Sequence, residues 1–308
     1  MDLKKLAPLH TLSRLLPRRH AIHGRAEDLS CQPFFIVGSG RNGSTLFSAM
    51  LNHHPQILLP TEQWRFPNMI LKYRFYNFLP WKELVSLVIG EIAAANASLE
   101  WNVNFNHTLA ELQYLPKSHR SLQKILDCIY IAYGKQHAES FSIWGEKSPK
   151  NTPLIRYIYP VYPQSKYLFL IRDGRDVARS WLIKNESKDI RWIAESWNES
   201  IEIYDWLKQR LPAENLMTVR YEELVTETEN VLTQVCQFLG FDFAPSMLAF
   251  QDYSVKISNE KVFQHFKQLK KPANPSSIGK WEEFFKGADR DLIMKLIGPN
   301  LRRFAYEN

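Results

Sequence analysis

Phe34-Phe35-Ile36-Val37-Gly38-Ser39-Gly40-Arg41-Asn42-Gly43-Ser44-Thr45-Leu46-Phe47 decides the fold of this chain. Phe34 to Val37 is a short apolar run with the length of a strand buried on both faces. A loop with Gly38, Gly40 and Gly43 follows, and it lets backbone N–H groups approach a ligand closely. Leu46, Phe47, Ala49, Met50 and Leu51 then predict a buried helix that stops before Pro55. Strand, loop and helix in this order aim the free N–H groups and positive dipole end of the helix at the loop's ligand, which favours an anion.

The spacing Gly38-x4-Gly43 followed by Ser44-Thr45 is that of a Walker A loop without its lysine. In G-x-x-x-x-G-K-[ST] the lysine reaches the β- and γ-phosphates and the hydroxyl residue holds Mg²⁺. Here Ser44 stands in the lysine's place and Arg41 is the nearby cation. The residues point to an anion without a triphosphate tail, with a ligand-free glycine turn as the plain alternative.

Further strands are predicted at 142–147, 166–171 and 216–219, with helices at about 81–95, 121–133, 153–159, 192–207, 226–239 and 289–297. Strands alternating with helices over crossover lengths predict an α/β fold of three layers, a central parallel sheet flanked by helices, like that of P-loop NTPases. Arg172 closes the strand at 166–171, and the carboxyl ends of strands are where ligands bind in such sheets. Ser180 lies about two helical turns beyond Asp173, so arginine and hydroxyl suit a second phosphate. Asp173, Arg175 and Asp176 read equally well as a capping network. Residues 31–308 are expected to form one domain with a helical insertion at about 55–141.

Residues 1–30 set Lys4, Lys5, Arg14, Arg18, Arg19 and Arg25 against Asp2, Glu27 and Asp28, with leucines from Leu3 to Leu16 at helical spacing. This basic amphipathic extension predicts peripheral contact with an anionic membrane through residues 1–25, or a helix packed on the domain. Hydrophobic residues at 45% supply a large core and exclude global disorder. The net charge of +7 favours anionic ligands. Dispersed basic residues and the lack of a Cys-His pattern argue against nucleic acid and against a metal. Cys31, Cys128 and Cys236 have no disulfide-like spacing, and the most apolar run, Leu84 to Ala95, is interrupted by Glu91. A soluble, cytoplasmic protein is the expectation.

Four separated motifs resemble the sulfotransferases that use 3′-phosphoadenosine 5′-phosphosulfate (PAPS). Gly38 to Thr45 is similar to their 5′-phosphosulfate loop, with Asn42 and Ser44 where Ser and Thr are commoner. Arg172 and Ser180 reproduce the Arg-x7-Ser spacing of their 3′-phosphate site. Tyr221 in Arg-Tyr-Glu-Glu-Leu resembles the tyrosine that contacts adenine, and Ser277-Ile278-Gly279-Lys280-Trp281 resembles the late loop that closes on the 3′-phosphate. The resemblance implies PAPS as co-substrate without a metal. It implies donor contacts from Gly40, Arg41, Asn42, Gly43, Ser44, Thr45, Arg172, Ser180, Tyr221, Ser277, Gly279 and Lys280.

It further implies catalytic roles for Arg41 and Lys147 near the transferred group, with Lys150 as the neighbouring candidate. Glu62 resembles the general base of the tyrosylprotein and carbohydrate branches. The alternatives are His119 as base and Glu62 as a loop residue paired with Arg65. The acceptor implied is a hydroxyl on a sugar, small molecule or peptide. A P-loop kinase or NTPase, or a binding module without turnover, are the competing readings.

Overall fold

In a computed structural model of the chain, the strand expected at Phe34 to Val37 is present and its four side chains are 0–3% exposed. The structure describes residues 17–62, 64–99, 101–137, 140–184, 189–252 and 275–306. The predicted amphipathic helix over Leu3 to Leu16 lies outside the described residues.

In chain order the elements begin with β1 (Phe34–Val37), α1 (Ser44–Leu51), β2 (Ile57–Leu58) and α2 (Phe66–Phe75). Next come α3 (Trp81–Leu99), α4 (Asn106–Gln113), α5 (Leu122–His137), β3 (Ile143–Lys147) and α6 (Ile155–Ile158). The remainder is β4 (Lys166–Ile171), α7 (Gly174–Ile183), α8 (Ile190–Lys208), β5 (Leu216–Arg220), α9 (Tyr221–Thr226), α10 (Thr228–Leu239), α11 (Trp281–Phe284) and α12 (Gly287–Arg303).

The elements fall into two compact units, Met1–Pro33 with Pro55–Ser165, and Phe34–His54 with Lys166–Asn308. In the second unit β1 pairs parallel with β4, Phe34 opposite Lys166, and β4 pairs parallel with β5, Tyr167 opposite Leu216. Tyr167 to Ile171 are buried throughout, as a strand covered on both faces requires. In the first unit β2 pairs parallel with β3, Ile57 opposite Ile143 and Leu58 opposite Trp144. The fold class is therefore α/β, with parallel strands and helices packed on them.

The aromatic residues of the first unit are mostly core. Tyr130 stacks on Trp144 with ring centroids 4.0 Å apart, and Trp101 meets Tyr130 edge-on at 5.5 Å. These aromatics orient the two segments that carry Glu62 and Lys147. Trp101 donates from Nε1 to the Thr61 carbonyl at 3.1 Å, one residue before Glu62, while Trp144 and Lys147 share β3.

Several boundaries differ from the sequence reading for local reasons. The helix expected from about residue 226 begins at Thr228, and Thr226 is instead the last residue of α9, its hydroxyl donating to the Glu222 carbonyl at 2.9 Å. Residues 149–154 form a 3-10 turn, so the helix expected from Pro153 begins only at Ile155. The segment preceding Glu62 contains β2, whose two residues are too few for a periodic signal.

Candidate active site

The second unit brings most of the predicted donor residues together. Gly43 ends the loop with φ of 94°, and a Cβ there would lie 2.2 Å from Cδ2 of Tyr221. Only glycine accepts both that backbone and that ring. Gly43→Ala is thus expected to cost about 1–3 kcal/mol of folding stability, read as a lower urea midpoint. Gly40 is held as closely, its Cβ position 2.6 Å from the Trp181 ring. Arg41 itself adopts φ of 65°, a conformation a long side chain takes only when its surroundings impose it.

The surroundings are polar and specific. Asn42 is 1% exposed; its Nδ2 donates to the Leu170 carbonyl at 2.8 Å and its Oδ1 accepts from the Ser44 N–H at 3.2 Å. Its side chain therefore braces the loop against the end of β4. Arg41 Nε donates to Ser180 Oγ at 3.3 Å, joining the loop to α7. Ser44 opens α1 and is buried, and Thr45 follows it half-buried.

Arg172, at the carboxyl end of β4, is 7% exposed. Its Nη2 donates to the Ser277 carbonyl at 3.0 Å and its Nη1 to the Arg41 carbonyl at 3.4 Å, while the guanidinium lies 4.3 Å from the Tyr221 ring centroid. Its Nε is buried without an acceptor among the described residues. A guanidinium with a spare buried donor suits an anionic oxygen. The Tyr221 hydroxyl and Ser277 Oγ are 2.8 Å apart. Arg41, Ser180, Arg172, Tyr221 and Ser277 thus form one connected cluster.

Asp173 caps α7, accepting from the Arg175 N–H at 2.8 Å and pairing with the Arg175 guanidinium at 2.7 Å, so the capping network is real. Asp176 does something the sequence reading missed. Its carboxylate accepts from the N–H groups of Gly279 at 2.8 Å and Trp281 at 2.9 Å, fixing the late loop beside α7. Gly279 is left-handed, φ of 71°, and spends its N–H on this grip. Lys280 stands apart, its ammonium 3.5 Å from Glu283 at the surface.

The first unit holds the other two predicted groups. Lys147, at the end of β3 and 5% exposed, donates from Nζ to Glu62 Oε1 at 2.7 Å. β2 and β3 run parallel, so Glu62 follows the same strand ends that Lys147 closes. Trp64, half exposed at 49%, donates from Nε1 to Glu62 Oε2 at 3.4 Å, and Lys150 Nζ sits 3.8 Å from its ring centroid. Arg65 pairs with the buried Glu91 at 3.1 Å. His119 pairs with Asp28 at 2.6 Å in a separate cluster of basic residues.

Glu146, beside Lys147, is 2% exposed; it accepts from the Tyr130 hydroxyl and, at 2.8 Å, from Asn151 Nδ2. Burial pushes its carboxyl up to about 8, against the pull of those two bonds and of Lys147. The folded chain then holds a proton that the unfolded chain releases. The resulting stability is complete below the ordinary carboxylate range and is lost as pH rises through about 8. The urea midpoint is expected to fall between about pH 5 and pH 8 and to level off above, and Glu146→Gln to flatten that fall.

The model of the sulfotransferase family matches residues 33–245, which include β1, the loop, Glu62, Lys147, Arg172 and Tyr221. The chain belongs to the sulfotransferase family. Among relatives of this sulfotransferase, protein-tyrosine sulfotransferase A of Caenorhabditis elegans is 26% identical over 285 residues, covering 89% of this chain and 67% of that protein. The protein-tyrosine sulfotransferase of Drosophila melanogaster is 25% identical, covering 89% of this chain and 51% of that protein. The chain therefore spans about half to two thirds of the length of these relatives.

The solved sulfotransferase domain of the Synechococcus PCC 7002 olefin synthase superposes with TM-score 0.61 at 23% identity, covering 95% of this chain and 98% of that one. The sulfotransferase domain from the curacin biosynthetic pathway gives 0.55 at 20% identity, covering 92% and 99%. Both have the fold of this sulfotransferase. The expectation of a cytoplasmic location is withdrawn: the relatives that match 89% of the chain are protein-tyrosine sulfotransferases, and they give a cytoplasmic location no support. Among the described residues no helix is long and apolar enough to cross a membrane.

Proposed function

We propose that this chain moves the sulfuryl group of PAPS onto an acceptor hydroxyl, of a sugar, small molecule or peptide, with Glu62 as general base. The observation that carries the reading is Arg172. It is buried, framed by two carbonyls and the Tyr221 ring, and keeps one buried N–H for an anion. The 3′-phosphate of the donor is the group that fits, with Ser180, Tyr221 and Ser277 around it. The loop from Gly40 to Thr45 offers its N–H groups to the 5′-phosphate. With Ser44 in place of the Walker lysine, the loop lacks the cation that a β/γ-phosphate pair requires.

The donor supplies a sulfuryl group on a phosphate leaving group. Glu62 takes the acceptor's hydroxyl proton as the acceptor oxygen bonds to sulfur. The bond from sulfur to the bridging oxygen breaks, and its electron pair leaves with adenosine 3′,5′-bisphosphate. Arg41 and Lys147 neutralise the charge that grows on that oxygen. Lys147 also orients Glu62 through their 2.7 Å ion pair.

Transfer from ³⁵S-labelled PAPS to peptidyl tyrosine, sugar and phenol acceptors, with EDTA present, tests the reading. Label is expected on one acceptor class, undiminished by EDTA. Binding of adenosine 3′,5′-bisphosphate with no label on any acceptor would leave a nucleotide-binding module instead.

A further inference from the structure

The first unit contains a second concentration of positive charge that the transfer chemistry does not use. A cavity of about 320 Å³ is lined by Arg19, His20, Arg25, Lys117 and Arg120, with His119 at its side. Among the described residues counter-charge is sparse. Arg25 has Glu27 at 3.6 Å and His119 has Asp28 at 2.6 Å. Arg120 donates from Nε to the Leu115 carbonyl at 2.8 Å, which does not neutralise it. Burial holds the His20 imidazole below its ordinary range, and the fields of Arg120, Arg19 and Lys117 push the same way against its bond to Leu79.

These cations are not gathered by chance on a loose segment. The backbone N–H groups of Arg19 and His20 both donate to Oδ1 of the buried Asn77, at 2.7 and 2.9 Å, and Asn77 Nδ2 returns a bond to the His20 carbonyl. The Ala21 carbonyl accepts from Tyr73 Oη at 2.6 Å and from the Leu122 N–H at 3.0 Å. Gln123 Oε1 accepts from the Gly24 N–H at 2.8 Å. Trp81, 3% exposed, backs the cavity between His20 and Arg120. Several independent anchors hold like charges around one concave space, an arrangement that repels itself until an anion enters. The backbone that carries these donors is held in place beforehand, which lowers the ordering cost of binding.

We propose that this cavity binds a small, multiply charged phosphate- or sulfate-bearing anion. Its volume is at the low end for ligand pockets, which fits a compact anion. Its concave walls favour a free anion over the headgroups of a flat membrane. Guanidinium groups from two segments, Arg19 and Arg25 on one and Arg120 on the other, provide the bidentate donors that phosphate and sulfate oxygens accept.

Calorimetric titration of the full chain with inorganic tripolyphosphate at low salt tests this, with the Arg19→Gln/Lys117→Gln double variant and Arg172→Ala beside it. Arg19 and Lys117 are both exposed, so the double substitution is compatible with folding. Saturable binding is expected, weakened tenfold or more in the double variant and retained in Arg172→Ala. Retained affinity for adenosine 3′,5′-bisphosphate in the double variant would confirm that it is folded. No saturable binding would overturn the proposal. So would loss in Arg172→Ala with none in the double variant, which would assign the anion to the cluster around Arg172. A third arm uses phosphatidylcholine vesicles containing phosphatidic acid: binding to these with none to tripolyphosphate would make the site a membrane contact and overturn the free-anion assignment.

Discussion

Glu62→Gln is expected to lower turnover about 10²- to 10⁴-fold, the range supplied by a positioned general base, while affinity for adenosine 3′,5′-bisphosphate stays unchanged. Glutamine preserves the length of the side chain and can still accept from Lys147 Nζ through Oε1, so the 2.7 Å contact has a counterpart in the variant. What it loses is the capacity to take a proton. The cluster of Arg41, Ser180, Arg172, Tyr221 and Ser277 is assembled within its own unit, so the nucleotide affinity expected of it is independent of Glu62. Single-turnover rates and calorimetric affinities, measured on the same preparation, separate the two effects. Near-normal turnover in the variant would move proton removal to His119 or to water.

Arg172→Ala is expected to weaken adenosine 3′,5′-bisphosphate binding about 30-fold or more, since truncating one partner of a buried charge pair costs about 2–5 kcal/mol. The substitution also leaves the Ser277 and Arg41 carbonyls without their donors and the Tyr221 ring without its cation. Adenosine 5′-phosphate, which lacks the 3′-phosphate, is expected to lose much less. That difference distinguishes a direct role at the 3′-phosphate from a general collapse of the loop. Arg172→Lys should not restore binding, because an ammonium cannot serve two carbonyls and an anion in one plane.

The parts of this molecule legible in its sequence are those where one local signal suffices. β1 and β4 are continuous apolar runs because both faces are covered, and their bounds match the expectation residue for residue. The phosphate loop is legible because its glycines and the missing lysine lie within eight residues. The end of α10 at Gly240 is a left-handed cap, φ of 95°, and reads directly from the glycine. What escaped the sequence depends on distant partners. Asp176 looks like one more residue of a capping network, and only the fold brings the N–H groups of Gly279 and Trp281, about a hundred residues later, onto its carboxylate. Glu146 looks like a strand-end charge, yet the fold buries it, and burial raises its proton affinity against the bonds from Tyr130 and Asn151. Trp64 has no periodic neighbour to mark it, and its place beside Glu62 follows from a turn too short to predict.

Sulfuryl transfer from PAPS requires that the loop and Arg172 bind adenosine 3′,5′-bisphosphate. Calorimetric titration of the full chain with adenosine 3′,5′-bisphosphate in EDTA, followed by a matched titration with Mg-ATP, addresses it directly. Stoichiometric, metal-independent binding of the bisphosphate is expected, with little affinity for Mg-ATP. Tight binding of Mg-ATP with none of the bisphosphate would contradict that expectation and return the loop to the phosphate chemistry of a kinase or NTPase.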